Sequence, residues 1–391
     1  MFSEETLQYG RQIASAILGL DALYRQESGD QEGLVVVNMD VGGEVKAQSF
    51  ASYAEAGQAF TELRDAASLL PEADRRCYYH QLCTSLIAFA TWRERGLPFA
   101  EQLTRFIHVP AAPASDEELD SLCQQMRTLL TGMGFGGDLA QQCARWEASV
   151  RVPADEVPGV IAQLMDEAWD RVEAKLFKIP APKSDGMRVT CVSGTAFNAR
   201  CNYLERKVEL NTDPVLTRPG LKHLTAHECY PGHYVQFKMR ETLARQGQAP
   251  ADNYLSVVNT AAASVFEGLG DNGLAAIDWI EDDNDRVQAL MNRYRSGIGT
   301  AAAWRLHALG WKPDRVRDWL RERALVGGEG WVTARMAFIS APARAVLIWS
   351  YWWGETVVSR VWRRVAADRR PALLDYLYSR LHSNDSIAMF S

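Results

Sequence analysis

Apolar side chains recur at three- and four-residue spacing through most of the chain, beginning with an amphipathic helix at the N-terminus ("MFSEETLQYGRQIASAILGL"), and proline and glycine mark the breaks. A chain of 391 residues patterned in this way buries its apolar stripes by packing helix on helix. The spacing predicts helices over 51–69, 71–95, 115–133, 137–150, 157–177, 219–230, 252–274, 283–309, 312–325, 331–366 with a break near Pro342, and 371–382. Ser115 followed by Glu118 reads as a capping box that starts the third of these. The expected fold is mostly α, a large helical array enclosing a cleft.

Three stretches depart from this period. "LVVVNMDVGGEVKAQSF" (34–50) reads as a short hairpin around Gly42 and Gly43. "MRVTCVSGT" and "NYLERKVELNT" alternate, which predicts a small antiparallel ribbon beside the helix at 219–230. The ribbon ending at Asn211 would offer an edge to which an extended substrate could pair by strand addition. "KIPAPKSDG" (178–186) is the best internal boundary, dividing a helical half that walls the cleft (1–180) from a metal-binding catalytic half (181–391) within one continuous domain.

With 47% hydrophobic residues the chain can form a large core. A formal net charge of -7 argues against a nucleic-acid surface, and the basic run at 360–370 carries Val361, Trp362 and Val365 at helical spacing, as a solvated helix face does. The N-terminus has acidic residues where a secretory signal would be basic, and no run approaches the roughly 20 apolar residues of a membrane span. Seven cysteines, scattered and without a C-x-x-C pair, fit reduced thiols. These features predict a cytoplasmic protein that binds neither nucleic acid nor membrane; they leave its oligomeric state open.

Three of the seven histidines, His223, His227 and His233, fall together in "HLTAHECYPGH". One reading is a plain helix end: Pro231 lacks the donor that would continue the helix, Gly232 can turn left-handed, and the histidines bond locally. The other is a metal site. In a straight helix, residues six apart point about 240° apart, so His227 and His233 could not share an ion. A bend at Pro231 and Gly232 would bring His233 back toward the face of His227, and a purely structural helix end has no need of histidine on both sides.

A zinc hydrolase also needs a third protein ligand and an open position for water. "TAAASVFEGLGDNG" (260–273) offers Glu267 as that ligand, at the end of a stripe with Thr260 and Ala263. Asp271, one turn further, is placed to accept a hydrogen bond from a ligand imidazole, as carboxylates behind metal-bound histidines do. An acidic helix face is the alternative for this pair, against which stand the apolar neighbours Val265, Phe266 and Leu269. Glu228, beside the first histidine, can take the proton of the attacking water.

"ELNTDPVLTRPGLKHLTAHECYPGHYVQ" resembles the signature of the bacterial domain of unknown function 885 family, gluzincin-like zinc metallopeptidases marked by H-E-x-Y-P-G-H-H-x-Q. "FEGLGD", "RLHALGW" and "APARAVLIWSYWWG" resemble that family's later segments in the same order, so that the similarity covers about residues 190–365. The resemblance implies ligation of one zinc, or another divalent metal, by His227, His233 and Glu267, with Glu228 as base. It also implies His307 as a group that steadies an oxyanion, and Tyr351 as a displaced donor to the same atom.

Departures fall at Tyr234, Leu269, Ala303 and Pro342-Ala343-Arg344, positions concerned with substrate contacts and local packing. The expected function is a zinc-dependent hydrolase, a metallopeptidase or amidase, cleaving short peptides or small amides. Two alternatives are a metal-dependent hydrolase or lyase of a small metabolite and a non-enzymatic helical binding protein with a degenerate metal site.

Overall fold

A computed structural model describes residues 2–390 of the chain, and most of them are helical. They gather into two units, each assembled from separate segments: 2–111, 235–268 and 353–390 in one, 112–234 and 269–352 in the other. The stretch 178–186, expected as the boundary, lies inside the second unit.

The first unit opens with a helix over Glu4–Ser28, started by the Ser3 side chain, which accepts from the Thr6 amide at 3.2 Å. Helices Tyr53–Ala67 and Ala73–Arg95 pack on each other, and the former also packs against it. Tyr9 and Tyr79 pack in its core with ring centroids 4.6 Å apart, and the Tyr79 hydroxyl donates to the buried Asp252 carboxylate at 2.9 Å. The hairpin expected at 34–50 does not form. Strand Val35–Asn38 instead pairs antiparallel with Leu255–Val257, so its partner lies far along the chain. That pairing also shortens the helix expected at 252–274. A 3-10 turn at Ala251–Tyr254 and the strand come first, and the helix runs only over Ala263–Asp271, with Thr260 ahead of it.

Near its C-terminus the same unit buries His382, whose Nε2 donates to the Tyr376 carbonyl at 2.7 Å. Burial, with Arg75 and Arg380 nearby, holds its pKa well below the ordinary value of 6.5. The folded state therefore keeps this ring neutral while the unfolded chain takes up a proton, so its contribution is fully present above about pH 6.5 and is lost as pH falls. Below that point the loss amounts to roughly 1.4 kcal/mol per pH unit for one proton. The stability gap between wild type and His382→Gln, measured by urea unfolding, should narrow by about that much between about pH 7.5 and about pH 5.5. A gap independent of pH would contradict the assignment.

The second unit is built on the helix Asp283–His307, against which Asp116–Gly132, Pro313–Arg323 and Gly328–Ser340 pack. The Ser115 cap forms as its sequence suggests: Ser115 accepts from the Glu118 amide at 3.2 Å while the Glu118 carboxylate accepts from the Ser115 amide at 2.8 Å. Trp146, Trp279, Trp331 and Trp349 are fully buried here, and the indole N–H of Trp349 donates to the Ala112 carbonyl at 2.8 Å. Lys222 is buried too, with Asp285 at 2.6 Å and Glu281 at 3.0 Å.

The expected antiparallel ribbon is a three-stranded mixed sheet. Ala199–Asn202 turns through Arg206, in the left-handed region at φ 55°, into Lys207–Asn211, and these two strands are antiparallel. Arg188–Val192 then adds in parallel on the other side of Lys207–Asn211. The strand that ends at Asn211 is therefore central, with both hydrogen-bonding edges taken. The edges left for a substrate strand are those of the two outer strands, Arg188–Val192 and Ala199–Asn202. No single helix among the described residues is long and apolar enough to cross a membrane; one sharply bent pair, Gly328–Ser340 with Ala345–Arg364, passes by length and composition only.

Candidate metal centre

The motif helix runs over Arg218–Glu228, with the Thr217 side chain accepting from the Gly220 amide at 3.1 Å. It stops where the sequence first denies it a helical donor. The amides of Cys229 and Tyr230 both reach the Thr225 carbonyl, and the Gly232 amide closes back on the Ala226 carbonyl at 2.9 Å. The backbone at Gly232 lies so close to the helix end that a Cβ there would sit 1.7 Å from the His227 carbonyl oxygen. Only glycine fits this approach. A second helix, absent from the sequence expectations, then begins at His233 and continues to Arg245.

This fold-back sets the His227 and His233 rings 4.6 Å apart between centroids at an interplanar angle of 78°. Tyrosines on either side of the bend anchor it: Tyr230 accepts from the Met187 amide at 2.7 Å, and the Tyr234 hydroxyl donates to the Asp185 carbonyl at 3.0 Å. Tyr234, a departure when read as sequence, thus ties the second histidine's helix to the segment leading into the small sheet.

Glu267 and Asp271 stand one turn apart on the helix Ala263–Asp271. His227 and His233 are brought together within the second unit, and Glu267, the third expected ligand, belongs to the first. Asp271 meets His227 Nδ1 at 3.0 Å. With the proton on Nδ1, the lone pair of that ring is carried by Nε2, the arrangement found behind metal-bound histidines. A Cβ on Gly270 would fall 2.8 Å from His227 Nδ1, so the ring seats directly against this helix's backbone.

A second group shares His227: His223, His227 and Asp271 offer ligand atoms within 4.8 Å of one another. His223 Nε2 lies 3.7 Å from the Asp271 carboxylate. Burial pushes the His223 pKa down to about 4, against the opposing pull of Asp271. That ring is neutral near pH 7.

Both groups border a cavity of about 140 Å³ whose wall includes His223, His227, Glu228 and Asp271. Glu228 is buried and makes no hydrogen bond or ion pair with another described residue, so its carboxylate is left to whatever enters the cavity. Tyr351 is also on the wall, its ring 6.2 Å from that of His227. His307 is elsewhere: its Nε2 lies 2.6 Å from the Ile339 carbonyl, and the residue does not line this cavity. A ring nitrogen held by a backbone carbonyl is poorly placed to steady an oxyanion, which corrects the role the resemblance implied for it.

Sequence reading missed Arg295 and Arg335, which lie on the same wall. A signal for the second was present. Trp331, Ala334, Arg335 and Phe338 recur at helical spacing, an arginine within an otherwise apolar stripe, and all four line the cavity.

No family model matches the chain, and no curated protein matches it. Among solved structures it is similar to the putative lipoproteins of Colwellia psychrerythraea and Shewanella oneidensis, the latter of unknown function. The first aligns with a TM-score of 0.60 at 12% identity over 85% of this chain. The second aligns with a TM-score of 0.53, also at 12% identity, over 86% of this chain. The chain spans 65% of the length of the first and 70% of the second. At this identity the likeness shows the fold alone. The family assignment suggested by H-E-C-Y-P-G-H is thereby corrected: nothing supports membership in the domain of unknown function 885 family, and the neighbours with this fold carry no peptidase description.

Proposed function

We propose that the chain is a metal-dependent hydrolase of small amide or short peptide bonds, with one zinc ion, or another divalent metal, held by His227, His233 and Glu267. The observation that carries this reading is the fold-back at Gly232, which brings together two imidazoles that a straight helix would separate. Two imidazoles and a carboxylate are the three-protein-ligand set of hydrolytic zinc sites. Zinc, when bound, would polarise a carbonyl and make a water more acidic.

The chain's own residues supply the remainder. Asp271 fixes the orientation and tautomer of His227 through the 3.0 Å contact at Nδ1. Glu228, on the cavity wall without another partner, accepts the attacking water's proton and returns it to the leaving amine. Tyr351, on the same wall, is the candidate donor to the developing oxyanion. The small cavity favours short peptides or small amides over folded polypeptides. Its size also supports a second reading, a metal-dependent hydrolase or lyase of a small metabolite. The seven free cysteines, one of them the exposed Cys191, support placement in a reducing compartment, the cytoplasm.

Elemental analysis and titration against a competing chelator test the metal. His233→Ala should lose the ion, and Asp271→Asn should weaken affinity by roughly ten- to a hundredfold. If His223→Ala abolishes binding while His233→Ala leaves it intact, the ion belongs to the other group. Protein that takes up no divalent metal in either assay would end the hydrolase reading.

A further inference from the structure

The cavity beside the histidines has a wall of hydrogen-bond donors that the proposed hydrolysis does not use. Asn292 and Arg295 come from the helix Asp283–His307, and Trp331 and Arg335 from Gly328–Ser340. Three donor atoms of these lining residues, Asn292 Nδ2, Trp331 Nε1 and Arg335 Nε, are buried and have no hydrogen-bond partner. Native proteins rarely leave buried donors unmatched, and the acceptors of a bound molecule are one way to match those that line a cavity.

Charge points the same way. Arg335 makes no ion pair with any described residue; its guanidinium lies 5.4 Å from the Trp331 ring centroid and 5.7 Å from that of Phe338. Arg295 lies 5.1 Å from the same indole and donates to the Val326 carbonyl at 2.7 Å, again without an ion pair. One tryptophan is thus flanked by two guanidinium groups, neither in an ion pair, with the Glu147 carboxylate acting on Arg295 from a distance. Burial pushes the pKa of each arginine down to about 10, so both remain charged near pH 7. The acidic residues on the wall, Glu228 and Asp271, belong to the histidine cluster.

We infer that Arg335 and Arg295, with the amides of Asn292 and the indole of Trp331, form a subsite for a carboxylate carried by the substrate. The inference deepens the hydrolase reading and rests on it: the substrate is a small acid, such as an N-acyl amino acid or a short peptide with a free C-terminal carboxylate. Its charged end docks on the arginines while its amide faces His227 and Glu228. A guanidinium recognises a carboxylate through two parallel hydrogen bonds, which neither a neutral amide nor a lysine ammonium reproduces.

The test uses hippurate and its neutral counterpart hippuramide, titrated calorimetrically into full-length protein stripped of metal by chelation. Hippurate should bind at least about tenfold more tightly than hippuramide. Arg335→Gln should erase that preference, and Arg335→Lys should keep part of it, with thermal unfolding confirming that each variant folds; should Arg335→Gln not fold, the lysine variant carries the comparison. Equal affinities for the two probes, a preference that survives Arg335→Gln, or a preference present only with metal bound would each overturn the subsite. Binding of phenyl phosphate in place of hippurate would overturn the carboxylate assignment. Metal content, measured separately, judges the hydrolase reading: protein that binds no metal yet keeps an Arg335-dependent preference for hippurate loses the reaction and retains the anion site.

Discussion

Glu228→Gln is expected to keep its metal near the wild-type level and to lose turnover by at least about a hundredfold, the usual scale of a general base. The substitution preserves shape and one acceptor oxygen, turns the other into an NH2 donor, and removes the ability to accept a proton. Glu228 is the last residue of the motif helix, buried, on the cavity wall and outside both groups of candidate ligands. Its loss should therefore leave ion affinity alone, in contrast to His233→Ala. The measurement pairs metal analysis with single-turnover assays on a panel of N-acyl amino acids and dipeptides. Full activity in Glu228→Gln on a substrate that wild type cleaves would remove Glu228 from the mechanism. Loss of metal in the same variant would make it a ligand instead of a base.

What the sequence discloses about this molecule divides by range. Local signals read correctly: the Ser115 capping box depends on residues three apart, and the helix stop before Pro231 follows from a donor that proline lacks. Features that depend on distant partners did not. Nothing near Val35 announces Leu255–Val257 as its strand partner, and a glycine pair nearby suggested a turn instead. Likewise, alternation at 188–192 and 207–211 signals strands but not which neighbours they choose, so the parallel pairing was invisible. At the site, the spacing of Glu267 and Asp271 survived because one helix carries both. The paired arginines did not emerge, since Arg295 and Arg335 stand on separate helices and meet only through packing around Trp331. The helix beginning at His233 was hidden for another reason: Pro231 and Gly232 end one helix and also precede the next, and sequence punctuation does not distinguish the two uses.

Gly232→Ala is expected to be the most damaging single-methyl change in the chain's motif region. The added Cβ would lie 1.7 Å from the His227 carbonyl oxygen, 2.4 Å from its carbon and 2.6 Å from the Ala226 carbonyl oxygen. All three are backbone atoms of the motif helix, so no side chain can rotate away to make room. Either the helix end gives way, at about 3 kcal/mol or more by the upper range of overpacking effects, or residues 231–233 swing outward and separate the two imidazoles. In both cases metal affinity falls, because the ring approach of 4.6 Å between His227 and His233 depends on that close return. Gly159→Ala is the control. It lies in the helix Val157–Lys175, nothing stands within 4 Å of its added methyl, and alanine there should be neutral or stabilising by up to about 1 kcal/mol. Urea unfolding and chelator competition on the two variants separate the explanations. A Gly232→Ala protein with the wild-type unfolding midpoint and undiminished metal affinity would show that the bend does not bring the ligands together.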